Sequence, residues 1–193
     1  MNFPDVFPVL TTARLVLRAT SPHDVEGVFA MESDPVAMRY WSRPPMQDIA
    51  EARASVERAM TFFAARNGIR WSITRAGEDQ LIGHVSVFDF HEPSDRADIG
   101  YGLARAHWGQ GLMHEALIAV VDYAFGPLGL RRLEADIHPG NQASLRAIER
   151  LGFAREGFLR ERWQVGDEIS DSALFGLLAR DWRARRTAET SLS

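Results

Sequence analysis

Apolar positions along the 193-residue chain change period several times. Residues 11–20 alternate and are rich in β-branched side chains, which predicts a first strand. Ser21-Pro22 supplies N-cap and first-turn chemistry for a helix ending near Glu32. Ser33-Asp34-Pro35 predicts a short second helix reaching Trp41, which Ser42-Arg43-Pro44-Pro45 interrupts. Within residues 47–66, Ile49, Val56, Met60 and Phe63 mark one face of a longer helix, ended by Asn67-Gly68. Strands are predicted at 69–74 and 81–90, joined through Ala76-Gly77-Glu78-Asp79, and again at 97–103. An apolar helix over 115–125 precedes the turn Gly126-Pro127-Leu128-Gly129 and a strand at 132–138. Asn141 fits an N-cap ahead of Leu145, Ile148 and Leu151, and Gly152 suits the left-handed residue closing that helix. Residues 153–165 and 168–178 predict a strand pair about Gly166-Asp167, followed by a closing helix over 179–185 and a frayed tail over 187–193. Strands that alternate with helices predict one α/β domain over residues 1–193, with its core at 11–182. The sheet is expected to be mixed and mostly antiparallel, with about seven strands.

Bulk properties narrow the function classes. A net charge of −4 without a basic stripe argues against a nucleic-acid partner. No apolar run approaches the ~20 residues of a membrane span, and the N-terminus lacks a basic-then-apolar leader, so a cytoplasmic protein without a membrane partner is expected. With no cysteine, disulfides, thiol nucleophiles and thiolate metal sites are excluded. His107 and His114 are seven apart, and His114-Glu115 opens like a zinc-protease helix. Ile118 stands where the second histidine belongs, so no metal is expected.

The chemistry concentrates where the strand at 97–103 passes through His107-Trp108-Gly109-Gln110-Gly111-Leu112-Met113-His114 into the apolar helix. Two glycines separated by one residue let backbone approach a ligand closely, and a helix start offers unpaired N–H groups to an anion. This is the pattern of a phosphate cradle. It lacks the lysine of a Walker loop, and Gly100-Tyr101-Gly102-Leu103-Ala104-Arg105 has arginine where a dinucleotide fingerprint carries its third glycine. A dinucleotide-dependent oxidoreductase is therefore disfavoured.

Some 30 residues on comes a second constellation, Asn141-x-x-Ser144 and then Leu151-Gly152-Phe153. Together with Ile99-Gly100-Tyr101-Gly102-Leu103 and Trp108-Gly109-Gln110-Gly111, it resembles the GNAT superfamily of N-acetyltransferases, most closely the RimJ/RimL-like branch. The resemblance covers residues 14 to 182 and is most specific between Asp98 and Phe153. It implies a splayed central cleft that admits the pantetheine arm of acetyl-CoA. By the same resemblance, the backbone of Gly109, Gln110, Gly111, Leu112, Met113 and His114 takes the pyrophosphate. The strand edge at Tyr101, Gly102 and Leu103 would pair with pantetheine amides, and Asn141 would reach the cofactor while also capping its helix. Met113 replaces the small residue usual at its place.

Acetylation of an amine requires a proton acceptor, because a protonated amine has no lone pair for the thioester. Asp136 matches the place of a catalytic glutamate in some ribosomal-protein acetyltransferases and is the favoured base. His84, Asp98 and a water chain remain alternatives. Ser144 is the candidate acid for the departing thiolate, since Ile148 occupies the place of the usual tyrosine. Tyr40, Trp41, Trp71 and His84 are candidates to line the acceptor site. The expected activity is transfer from acetyl-CoA to a primary amine, a peptide or protein N-terminal α-amine first, by direct attack in a ternary complex. A small amine or antibiotic as acceptor, and an inactive acyl-CoA-binding sensor, are the rivals. A monomer and a homodimer are both compatible with the sequence.

Overall fold

The computed structural model describes residues 1–190. Eight strands form one sheet in the order β1-β2-β3-β4-β5-β6-β8-β7, and all neighbours are antiparallel except β5 and β6. In chain order they are β1 (Leu10–Thr11), β2 (Leu15–Ala19), β3 (Gly68–Arg75), β4 (Leu81–His91), β5 (Arg96–Leu103), β6 (Arg132–Ile137), β7 (Ala154–Val165) and β8 (Glu168–Leu178). The helices are α1 (Val25–Glu32), α2 (Pro35–Met38), α3 (Ile49–Phe62), α4 (Leu112–Phe125), α5 (Gln142–Leu151) and α6 (Ala179–Thr190). The mixed α/β class with a mostly antiparallel sheet is as expected.

Three expectations are corrected. The first strand is two, because Thr12 closes a tight reversal: its N–H donates to the Leu15 carbonyl and its hydroxyl accepts from Leu15 N–H. The count is therefore eight rather than about seven. The second helix stops at Met38, leaving Tyr40 and Trp41 in a loop. The closing helix runs on through Thr190, with the Thr187 hydroxyl donating to the Arg183 carbonyl at 3.0 Å, so residues 187–190 are not a tail. The rest of that expected tail, 191–193, lies outside the described residues.

Strand alternation gives the sheet two unlike faces. On β4, Val85 and Val87 turn toward α4, where Leu117, Val120, Val121 and Ala124 join the main core together with Ala97, Leu133 and Ala135. His84, Ser86 and Phe88 turn the other way. On that side α1 and α3 pack through Val28, Ala52 and Val56 and leave a hollow. A bulge between Phe88 and His91, with Asp89 at a φ of 52°, ends the regular pairing of β4 and β5.

The parallel pair is short. Only Arg96, Ala97 and Asp98 face Arg132, Leu133 and Glu134, and beyond them β5 and β6 diverge. That divergence is the expected cleft. β6 is held on its other side by six residue pairs with β8, so it cannot follow β5.

Near the other end of the sheet, Asp24 is 1% exposed and receives both terminal nitrogens of Arg18, at 2.9 and 2.8 Å, the Ser72 hydroxyl at 3.0 Å and the Ser21 N–H at 2.9 Å. This cluster ties the entry of α1 to β2 and β3. Asp24→Ala leaves Arg18 with only the exposed Asp79 as an ion-pair partner, removes one partner of the buried Ser72 hydroxyl, and should lower unfolding free energy by about 2 kcal/mol. Urea unfolding checks this; a loss under about 0.5 kcal/mol would mean that water replaces the carboxylate.

Candidate active site

The glycine turn is built by left-handed backbone. Gly109 and Gly111 have φ of 73° and 74°, and Gly111 is the N-cap of α4. A Cβ at Gly109 would meet nothing within 4 Å, so backbone conformation rather than crowding calls for glycine there. The first-turn N–H groups of α4 open outward from this turn, as an anion site needs. Leu112 is buried and Met113 packs against the main core, which fixes the helix start from behind.

Residues distant in sequence brace the turn. Arg14 donates to the Gln110 carbonyl at 3.0 Å, and Arg75 donates to the Gln110 side chain at 2.6 Å. Glu115, one turn into α4, accepts from Thr12 at 2.6 Å and from the Arg14 N–H and Nε at 2.9 and 2.6 Å. Burial would raise its carboxyl pKa, but these hydrogen bonds outweigh it and hold the group below its usual range. The Trp108 indole donates to the Leu103 carbonyl at 2.7 Å, tying the turn to the end of β5. Arg14 and Arg75 went unnoticed in the sequence because each is an ordinary strand-end arginine until the sheet brings it to the turn.

The open edge of β5 is selective. Ala104 N–H donates to the Ile82 carbonyl, so by the antiparallel alternation Gly102 directs its backbone groups toward β4, while Ile99, Tyr101 and Leu103 direct theirs into the cleft. Gly102 has a different use: a Cβ there would lie 2.7 Å from the Trp41 ring and 3.2 Å from the His84 ring.

On the polar face of the sheet lies a cavity of about 740 Å³, lined by Tyr40, Trp41, His84, Asp98, Tyr101, Asp136, Asn141 and Ser144 among others. It thus gathers most of the residues expected at the acceptor and catalytic positions. Trp71 is the exception. It is fully buried, donates to the Pro8 carbonyl at 2.7 Å, and packs between Phe7 and Tyr123. Its partner across the sheet is Val85, on the α4 face, whereas its neighbour Arg70 pairs with Ser86 on the cavity face. A one-residue offset along β3 thus puts the tryptophan in the core.

Three carboxylates reach the cavity, from Asp89, Asp98 and Asp136. Asp98 has no hydrogen-bond or ion-pair partner among the described residues, and burial pushes its pKa up to about 6, helped by the nearby charges of Glu134 and Asp89. Asp136 is engaged: the Ser172 hydroxyl and the Trp163 indole donate to one oxygen, and Arg162 stands 3.6 Å from the other. His84 is 3% exposed, with no hydrogen-bond partner for Nδ1. Burial, then the charges of Arg70 and Arg43, push its pKa well down, so the ring is neutral at pH 7.

Across the cleft, Asn141 caps α5 by accepting from Ser144 N–H at 3.1 Å. The Ser144 hydroxyl lies 2.7 Å from the Tyr101 phenol. Burial raises that phenol to about 12, so it stays protonated, and the Ser144 hydrogen bond offsets only part of the rise. Ile148 is fully buried against the main core. The hydroxyl that α5 lacks at Ile148 is thus supplied from β5, by a tyrosine whose sequence context marks it only as a strand residue. The Tyr40 and His138 rings lie 4.8 Å apart, tilted by 38°, and both line the cavity. Among the described residues no three histidines or carboxylates are grouped to hold a metal ion, and no helix is long and apolar enough to cross a membrane.

Comparison with known proteins agrees with this geometry. An acetyltransferase (GNAT) domain matches residues 14–154. Over 173 residues, spanning 90% of this chain and 98% of the relative, the sequence is 35% identical to the uncharacterized N-acetyltransferase YoaA of Bacillus subtilis. It is 26% identical to the [ribosomal protein uS5]-alanine N-acetyltransferase of Escherichia coli, over 92% of this chain and 94% of that one. Among solved structures, a GCN5-related N-acetyltransferase from Brucella melitensis superposes with a TM-score of 0.84 at 21% identity, covering 98% of this chain and 86% of that one. Spermidine N-acetyltransferase from Vibrio cholerae, solved with CoA and spermine, gives 0.77 at 21% identity, covering 89% and 99%. With the glycine turn, the open strand edge and the cavity in their places, the chain belongs to the GNAT acetyltransferase family and is an acyltransferase that draws its acetyl group from acetyl-CoA.

Proposed function

We propose that the acceptor is the α-amine of a peptide or protein N-terminus, acetylated by direct attack on acetyl-CoA in a ternary complex. The carrying observation is the cavity itself: it adjoins the open edge of β5, is large enough for the first residues of an extended chain, and presents an unpartnered carboxylate, Asp98. The E. coli relative named for a ribosomal-protein alanine supports the same reading, and with it the RimJ/RimL-like kinship.

In this reading the N–H groups from Gly109 to His114 take the pyrophosphate, with Arg14 and Arg75 close enough to offset its charge. Ile99, Tyr101 and Leu103 offer the edge that pairs with pantetheine, and the Asn141 side-chain N–H donates to the cofactor. Asp98 accepts the ammonium proton, because a base near 6 is ionised at pH 7 yet basic enough to draw the proton. Asp136, its lone pairs already claimed, positions the amine and is the second candidate base. His84, held neutral and buried, packs on Trp41 and bounds the acceptor site. When the tetrahedral intermediate collapses, Ser144 donates its proton to the CoA sulfur and refills from the Tyr101 phenol, so the two hydroxyls act as one acid.

Three measurements test these roles. Gly111→Asp puts a side chain and a negative charge against the pyrophosphate and should weaken CoA binding at least tenfold, about 1.4 kcal/mol; unchanged calorimetry on the folded variant would remove the cradle. For the base, wild-type kcat/KM should lose at least tenfold per pH unit below pH 6, because the raised Asp98 pKa leaves that carboxyl protonated there in the free protein. Asp98→Asn should lower kcat about a hundredfold and abolish that limb, whereas Asp136→Asn should act mainly on KM. The opposite pattern would make Asp136 the base. For the acid, Ser144→Ala and Tyr101→Phe should each slow turnover about tenfold without weakening CoA, and the double variant should lose no more than either. Additive losses would separate the two hydroxyls. Introducing tyrosine at Ile148 is not expected to rescue Ser144→Ala, since Ile148 has no free space around it.

A further inference from the structure

The cavity is charged at both ends, with opposite signs. One side carries Arg43 from the loop after α2, Arg58 of α3 and Arg70 of β3, and the other carries Asp89 of β4, Asp98 of β5 and Asp136 of β6, the last with Arg162 beside it. Behind the arginine wall a single carboxylate, Glu32, is fully buried; Arg43 reaches it at 2.5 Å and Arg70 at 3.2 Å. The Arg58 side chain has no hydrogen bond or ion pair among the described residues. It stands on α3 one turn beyond Ser55, a residue of the same wall. Three guanidiniums against one carboxylate leave two positive charges uncompensated on this surface.

The two walls are separate in space. Arg70 pairs across the sheet with Ser86, and Ser86 pairs with Gly100, two residues along β5 from Asp98. Two strand spacings of ~4.8 Å and two residues of ~3.4 Å put the backbones of Arg70 and Asp98 about 12 Å apart. The electrostatics agree. The charges acting most on Arg70 are Glu32, Arg43 and Arg58, and those acting most on Asp98 are Glu134, Asp89, Arg96 and Asp136. Burial lowers the Arg70 pKa against the pull of Glu32, and Arg43 and Arg58 add smaller contributions in the same direction, which places the three guanidiniums near one another.

A protein does not hold guanidiniums together in a hollow at no cost; each is stabilised when an anion enters between them. We infer that the acceptor is a bifunctional molecule, an amine that also bears a carboxylate or phosphate several bonds away, with the amine at Asp98 and the anion received by Arg58, Arg70 and Arg43. For the N-terminal peptide of the proposed function, on which this inference rests, the anion is an acidic side chain within the first two residues. After both side chains take up part of the 12 Å span, one extended residue bridges what remains. The same wall repels a polycation, so a polyamine acceptor of the kind found with the Vibrio cholerae structural neighbour is disfavoured here.

The test compares peptides that differ only by glutamate or glutamine at the second residue. Release of CoA thiol should give wild-type kcat/KM at least tenfold higher for the glutamate peptide. Arg58→Gln, a change at an exposed and unpaired side chain, should bring that ratio near one, and Arg58→Glu should reverse it in favour of a lysine peptide. Equal wild-type rates, or a ratio that Arg58→Gln leaves intact, would overturn the inference. Two further arms separate it from the proposed function. Glutamate and phosphoethanolamine as free acceptors, turned over in an Arg58-dependent way while peptides are not, would uphold the anion site and discard the peptide. Calorimetry with CoA-loaded protein and the acetylated peptides reads binding without turnover. Glutamate preferred over glutamine only while Arg58 is present would uphold the anion site even if no peptide is acetylated; no preference would remove it.

Discussion

The three-residue parallel register between β5 and β6 is the constraint on which the site depends. A longer register would close the sheet and satisfy the cleft-facing backbone beyond Asp98 internally; the Leu103 carbonyl already accepts from the Trp108 indole. A shorter one would let the two halves of the sheet part. As built, β4 holds one side of β5 and β8 holds one side of β6, and neither strand can turn to pair further. The unpaired edge that results is a liability in most sheets, because exposed N–H and C=O groups recruit strands. Here it opens into a cleft beside the glycine turn, where the proposed reading seats the amide-rich cofactor arm as a substitute strand.

Two features of the cavity follow from that split. Because β5 leaves the pairing at Asp98, this carboxylate stands at the fork with no partner among the described residues, and burial, then the nearby acids, raise its proton affinity. Because β6 departs, α5 follows it and brings Ser144 opposite Tyr101 across the gap. The Asp98 carboxylate therefore stands at the fork of the divergence, and the Tyr101–Ser144 hydroxyl pair spans the gap that it opens. The two environments differ accordingly, a cluster of carboxylates at the fork and a buried hydroxyl pair across the gap.

The polar side of the sheet carries buried charge that a stability-driven core would avoid. Glu32 is buried and engaged by two arginines, and Asp24 is buried and engaged by Arg18 and Ser72. The second cluster closes on itself and fixes α1 to the sheet. The first leaves positive charge directed into the cavity. The contrast separates a structural ion pair from one arranged to meet a ligand.

Much of the fold was legible in the one-dimensional pattern. Gly-Gln-Gly before an apolar helix can only be a tight turn with exposed N–H groups, because left-handed backbone and a helix start are local properties. Asn141 and Gly152 bracket α5 for equally local reasons, an N-cap acceptor and a left-handed residue of φ 96°. The alternation in β4, β5 and β6 fixes which side chains share a face, though not what covers that face. That is why Trp71 reads as a pocket aromatic yet lies in the core: alternation sorts neighbours onto opposite faces, and only packed helices reveal which face is hollow. The break at Thr12 depends on its hydroxyl accepting from the Leu15 N–H while its own N–H donates to the Leu15 carbonyl, which a strand-like pattern conceals. The bulge at Asp89, the pairing of Tyr101 with Ser144 and the arginine wall join residues from distant segments. Charge and proton affinity at such places are set by distance and burial, quantities that exist only once the chain has folded.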